Sequence, residues 1–174
     1  MKKQAWLILC IIAFIAGLAL AATNMVTAGP IEEQRVKATL AARKAVFPEA
    51  TDFIEMPMNE DMGLDSLLQA MSGSDCIGYV LQITVSGYGG PIEIIMGVDL
   101  QGMITGLSVG GSKFAETAGL GTQVKGAAFR NQFVGLTEMP TLNGNVDTIS
   151  GATISSSAVI NGVIQCYRQF EAIN

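Results

Sequence analysis

A chain of 174 residues with 49% apolar and only 14% charged side chains can build one folded domain with attachments, and it does not have the composition of a disordered chain. The formal charge is −5, and beyond Lys2 and Lys3 the chain holds 8 Lys and Arg against 15 Asp and Glu, a surface that repels a phosphate backbone and argues against a nucleic-acid partner. There is no histidine, which excludes Ser-His-Asp and Cys-His nucleophile systems, HExxH zinc sites and axial-His haem within this chain.

Ala5 to Ala22 (AWLILCIIAFIAGLALAA) is a run of 18 residues without a charge. At ~1.5 Å per residue it spans ~27 Å, enough for a hydrocarbon core. Lys2 and Lys3 precede it, and no basic residue follows until Arg35. The positive-inside bias then predicts a single pass through the cell (inner) membrane, with the N-terminus cytoplasmic and the rest extracytoplasmic. The segment is read as an uncleaved anchor. A cleaved signal peptide, with Ala19-Leu20-Ala21 as its small-residue site, is the alternative, and both export the domain. The predicted organisation is a cytoplasmic stub and anchor over residues 1–22, a linker and amphipathic helix over 23–48, and an extracytoplasmic domain over 49–174.

Thr23 to Gly29 reads as the linker. Pro30 suits the first turn of a helix, with Glu32 and Glu33 at the positive end of its dipole. Ile31, Val36, Leu40, Ala41, Ala45 and Phe47 form its apolar stripe, and Pro48 ends it. Between Ala45 and Ser112 there is no Lys or Arg but nine acids, which reads as a solvated acidic face, with a cation site or a basic partner as the alternative. Tyr79 to Val85 alternates, placing Tyr79, Leu81, Ile83 and Val85 on one face of a strand. Gly87-Tyr88-Gly89-Gly90-Pro91 turns into a second strand, Ile92 to Val98. Asp99 to Gly102 turns into a third, Met103 to Val109, making an antiparallel meander. Ala127 to Phe133 reads as a short helix and Asn143-Gly144 as a tight turn. Ile154, Ala158, Val159, Val163, Ile164, Tyr167 and Phe170 recur at helical spacing, so a helix packed on the sheet closes the chain. The fold class is therefore α+β, a mostly antiparallel sheet with packed helices behind one N-terminal transmembrane helix. Cys10, Cys76 and Cys166 form no CxxC pair, so iron–sulfur and zinc-ribbon frameworks are not encoded. Cys76 and Cys166 are either an extracytoplasmic disulfide or two isolated buried thiols.

Two loops carry the chemistry. In Asp147-Thr148-Ile149-Ser150-Gly151-Ala152-Thr153, small residues let a backbone come close to a partner, and the turn opens a helix whose free N–H groups and dipole favour an anion. Thr153 stands at that junction. Taken alone, this is a helix cap. The stretch resembles the flavinylation motif of the FMN-binding domain family, in which the Thr after Ser-Gly-Ala carries FMN through its phosphate. Glu116-Thr117-Ala118-Gly119-Leu120-Gly121 resembles a second signature of that family, normally Glu-Thr-Pro-Gly-Leu-Gly. Gly87 to Ile92, Gly97-Val98-Asp99 and Gly102 to Gly106 resemble the branch formed by G subunits of the Rnf electron-transport complex, related to the C subunit of the sodium-pumping NADH:quinone oxidoreductase. The resemblance covers Glu32 to Phe170. Ala118 departs from the usual Pro, Ile154 from the usual Ser or Thr, and Ser112 to Ala115 lacks the His common in relatives.

The resemblance implies a membrane-anchored electron carrier in an ion-translocating ferredoxin:NAD oxidoreductase, with FMN as a phosphoester on Thr153. Asp147 is implied as part of the motif read by a flavin transferase, and Ser150, Gly151 and Ala152 as the shapers of the turn. Glu116, Thr117, Gly119, Leu120 and Gly121 are implied to line the flavin, Leu120 by an apolar contact. A turn-capping carboxylate is the other reading of Asp147. Lys113, Lys125 and Arg130 lie near the loop in sequence; they read first as surface cations, with balancing the phosphate as the alternative, and are not counted among the site residues. No acid–base catalyst and no metal is expected. The implied partners are the other membrane and peripheral subunits of the complex, the membrane, and the transferase during maturation. A covalent-FMN carrier serving another exported reductase, and a non-redox exported binding domain, are the competing functions.

Overall fold

The computed structural model describes residues 2–173, so Met1 and Asn174 of the predicted segments lie outside the described residues. The chain forms two compact units, one up to Ala38 and one from Thr39 onward. Helix α1 (Lys2–Val46) contributes to both, and from Trp6 it is long and apolar enough to cross a membrane. Thr23 to Gly29, predicted as a linker, is helical instead, and Pro30 lies inside the helix rather than at its start. The hydroxyls that suggested a linker are absorbed locally. Thr23 donates to the Ala19 carbonyl at 2.8 Å and Thr27 to the Thr23 carbonyl at 2.9 Å. Pro30 removes one helical N–H, a loss of ~3 kcal/mol in an ordinary helix interior. Beside an apolar span, where a helix satisfies the rest of the backbone, such an interruption is tolerated.

The second unit is built on a five-stranded antiparallel sheet: β1 (Asp52–Glu55), β2 (Ser66–Ser72), β3 (Asp75–Ser86), β4 (Pro91–Asp99) and β5 (Ile104–Gly110), ordered as in the sequence. The predicted meander is β3–β4–β5, with Leu81 opposite Met96 and Met96 opposite Leu107. The two strands before it were not expected. β2 is buried on both sides, Leu67 in one core and Leu68 and Ala70 in the other, so its sequence does not alternate. β1 is four residues long, too short to show a period. The predicted helix at Ala127 to Phe133 is shorter than expected: α2 (Ala127–Arg130) gives way to turns, although Phe133 is still fully buried.

Helix α3 (Thr153–Ile173) covers one face of the sheet. Val159, Ile160 and Val163 pack there with Leu81, Ile83, Ile94 and Met96. The last turns of α1 cover the other face, where Val46 and Phe47 meet Leu68, Val80 and Ile95. That helix end sits close to the strands because Gly97 and Gly106, paired across β4 and β5, carry no side chain. A Cβ on Gly106 would lie 2.6 Å from the Val46 Cα. Thr105 donates its hydroxyl to the Val46 carbonyl at 2.7 Å, satisfying one of the helix's last acceptors.

Cys76 and Cys166 are both free, but only Cys166 is buried and Cys76 is half-buried, so the expectation of two buried thiols holds for one of them. Burial, reinforced by the Asp65 charge, pushes the Cys166 thiol up from 9.0 to about 12. Burial, then the charges of Glu171, Asp99 and Glu138, also raises the Tyr167 phenol. A folded pKa above the unfolded value means that both groups stabilise the fold fully at low pH. The Cys166 contribution is lost as pH climbs from 9.0 to about 12, because only the unfolded chain ionises readily there. Melting temperatures followed by circular dichroism are expected to fall from pH 9 upward, and Cys166→Ala to flatten that fall.

Candidate functional site

The two loops singled out in the sequence meet at one end of the sheet. The β3–β4 turn, the loop after β5 and the first turn of α3 enclose an open cleft of about 530 Å³, lined by Tyr88, Glu116, Thr117, Leu120, Gly121, Gly151, Ala152, Thr153, Ile154 and Ser155. That volume falls in the range of small-molecule and cofactor sites. Three large apolar side chains stand exposed around it: Tyr88 at 71%, Ile154 at 60% and Leu120 at 46%.

The turn before α3 is fixed by backbone geometry and one serine. Gly151 has φ +80°, a left-handed conformation that favours glycine. The Ala152 N–H donates to the Ile149 carbonyl at 3.0 Å. The fully buried Ser156 donates its hydroxyl to the Ala152 carbonyl at 2.9 Å and accepts from the Ile149 N–H at 3.1 Å. Ser156→Ala leaves the Ile149 N–H without that acceptor and is expected to destabilise the domain by ~1–3 kcal/mol, read from the urea midpoint at unchanged slope.

Thr153 is the first residue of α3, exposed, and it lines the cleft. The first N–H of this helix with a backbone acceptor is that of Ser156, to Ala152 at 2.9 Å. The N–H groups of Thr153, Ile154 and Ser155 therefore stand at the positive end of a 21-residue helix without an intrahelical acceptor. A phosphodiester anion attached to Thr153 would meet those donors directly. Among the described residues, no Lys or Arg lines the cleft. Arg130 is engaged elsewhere, donating to the Lys125 and Leu107 carbonyls at 2.9 and 3.0 Å. The Lys125 ammonium lies 3.9 Å from the centre of the Phe114 ring. Lys113 is exposed and outside the lining. The anion-binding potential of this site thus comes from the helix start, not from the three cations considered from sequence.

Of the other residues named from sequence, Asp147, Ser150 and Gly119 lie outside the lining and are exposed. The main chain of Asp147 is clasped by Gln132. Its N–H donates to the Gln132 Oε1 at 2.9 Å, and the Gln132 amide donates to its carbonyl at 3.4 Å. Among the described residues its carboxylate accepts no hydrogen bond, so it does not cap the turn. Gly119, at φ +77°, donates its N–H to the Thr122 hydroxyl at 3.0 Å and shapes the loop. Three lining residues were not named as site residues: Tyr88, Ile154 and Ser155. Tyr88 had a signal, an aromatic residue inside a glycine-rich turn. Ile154 belonged to the stripe expected to pack on the sheet, but it faces the cleft.

An FMN fits these features. The apolar lips suit an aromatic ring, and the helix start suits a phosphate beside the Thr153 hydroxyl. Residues 87–168 match a family described as FMN-binding domain. Over most of the chain, the G subunit of the Na(+)-translocating ferredoxin:NAD(+) oxidoreductase complex of Acetobacterium woodii is 35% identical, with 93% of this chain and 89% of that protein aligned. The G subunit of the ion-translocating oxidoreductase complex of Methanosarcina acetivorans is 32% identical over 88% of this chain and 86% of that protein. The G subunit of the proton-translocating ferredoxin:NAD(+) oxidoreductase complex of Clostridium ljungdahlii is 28% identical over 92% and 87%.

Proposed function

We infer the function from membership: the chain belongs to the family of G subunits of ion-translocating, Rnf-type ferredoxin:NAD(+) oxidoreductase complexes. It is an FMN-carrying electron-transfer subunit of such a complex, and its partners are the other subunits. The relatives differ in the ion named, sodium in one and protons in another, while sharing this subunit. The part proposed for this chain is therefore electron carriage. Bound FMN supplies the redox chemistry, and the protein supplies attachment, orientation and exclusion of water.

The attachment proposed is covalent, through Thr153. A flavin transferase brings FAD to the turn, the Thr153 Oγ1 forms a bond to the FMN phosphorus, the pyrophosphate bond of FAD breaks, AMP leaves, and the hydroxyl proton is lost. The observation that carries this reading is the exposed Thr153, which lines the cleft at the start of α3 where the helix N–H groups are unpaired. Those N–H groups and the dipole hold the phosphate, and Tyr88, Leu120 and Ile154 shield the ring. The exposed Asp147 carboxylate, carried on a main chain clasped by Gln132, is the recognition element offered to the transferase.

The proposed placement is extracytoplasmic, with α1 retained as the anchor. Lys2 and Lys3 before the apolar run, and no basic residue until Arg35, support it. A tether suits a cofactor outside the cytoplasm, where lost FMN is not readily replaced. Co-expression of the full chain with a flavin transferase tests the reading. A fluorescent band that persists after denaturation is expected, and its absence removes covalent FMN.

A further inference from the structure

We propose that Glu116 is a positioning residue that ties the two lips of the cleft together before a cofactor arrives, and not a direct ligand of the flavin. Its role in FMN carriage rests on the function proposed above, whereas its geometry is independent of it. Glu116 is only 8% exposed, unusual for a carboxylate, and both of its oxygens are engaged. Oε1 accepts from the Gly89 N–H at 3.1 Å, and Oε2 accepts from the Ser155 hydroxyl at 2.7 Å. The two donors lie on opposite lips. Gly89 follows Tyr88 in the β3–β4 turn, and Ser155 follows Ile154 in the first turn of α3.

The glycines around the carboxylate fit the same role. A Cβ on Gly87 would run into Oε1, and a Cβ on Gly121 into Oε2. The packing thus reserves the space in which the carboxylate bridges the lips. An ionised carboxylate only accepts, which suits two donors and strengthens both bonds. It is ill suited to hold a phosphate on neighbouring Thr153, because like charges repel. Without a cofactor, it also places a negative charge by the positive end of α3.

The test uses the full chain in detergent carrying Thr153→Ala, so that the bridge is read apart from covalent flavin. Amide hydrogen exchange at Gly89 is expected to be slowed, and Glu116→Met to raise it roughly tenfold or more. Glu116→Gln is expected to restore most of the protection. Its carbonyl oxygen still accepts from Gly89, and the Ser155 oxygen can accept from its amide. In chains that retain Thr153, anisotropy of the bound flavin's fluorescence is expected to drop with Glu116→Met and recover with Glu116→Gln. If Glu116→Met fails to fold, Ser155→Ala removes one anchor and must still raise Gly89 exchange. Unchanged Gly89 exchange in the folded Thr153→Ala, Glu116→Met chain, or in Ser155→Ala where that variant stands in, overturns the proposal. Loss of flavin retention with Gly89 protection intact overturns it too, by making Glu116 a cofactor ligand. A parent chain that takes up no FMN sinks the FMN reading and leaves the Gly89 result standing.

Discussion

Thr153→Ala is expected to abolish covalent FMN completely while leaving the apo-protein within ~0.5 kcal/mol of the parent in stability. The two halves of that expectation have separate grounds. Stability is spared because the Thr153 side chain is exposed and makes no hydrogen bond among the described residues, and because Ser156, not Thr153, fastens the turn. Attachment is lost because no neighbouring hydroxyl has the same surroundings. Ser155 lines the cleft, but it is buried and its hydroxyl is committed to Glu116. Thr117 lines the cleft from a loop and not from the start of α3. Thr148 lies outside the lining. Thr153→Ser keeps the nucleophilic oxygen and is expected to retain attachment. In-gel fluorescence after denaturation, with the mass of the modified peptide, checks all of this. A band that survives Thr153→Ala would move the site, with Thr148 the first position to examine.

The closing helix and the Tyr79 to Val85 strand were legible because their apolar residues repeat along one face, even though Val80 and Ile95 are buried on the other side of the sheet. β3 alternates since one face meets α3, and α3 repeats because Val159, Val163, Tyr167 and Phe170 point at the sheet. Legibility failed where that condition did. β2 is covered on both faces and so has no pattern. In the first turn of α3 the inward residues are Ser155 and Ser156, both buried, because Glu116 and the Ala152 carbonyl are there to accept their hydroxyl protons. Their polarity hid them, and the apolar Ile154 took a place in a stripe it does not join. Polar residues with internal partners and apolar residues facing a ligand cleft reverse the usual rule, and they do so at a candidate site. The cleft itself was legible only through family resemblance. Taken alone, Ser150 to Thr153 reads as a cap, and no local pattern states that residues 88, 116 and 153 meet.

Phe133→Ala is expected to cost ~3–5 kcal/mol, a large part of the ~5–15 kcal/mol that stabilises a typical domain. The ring is fully buried and meets Phe129 edge-on, with centroids 5.5 Å apart and planes at 77°. It belongs to a segment sewn to the start of β5: Gly135 donates to the Ile104 carbonyl at 2.8 Å, and Ile104 donates to the Leu136 carbonyl at 2.9 Å. The same segment carries Gln132, which clasps the Asp147 main chain ahead of Thr153. Truncating Phe133 thus loosens the support of the motif as well as the core. The melting temperature is expected to fall by roughly 10 °C, with less FMN incorporated per chain. Gln132→Ala separates the two effects, since it releases Asp147 without opening a cavity. It should lower the rate of flavin incorporation at nearly unchanged melting temperature. If Gln132→Ala incorporates FMN at the parent's rate, the clasp on Asp147 is structural only, and any loss of FMN in Phe133→Ala follows from unfolding.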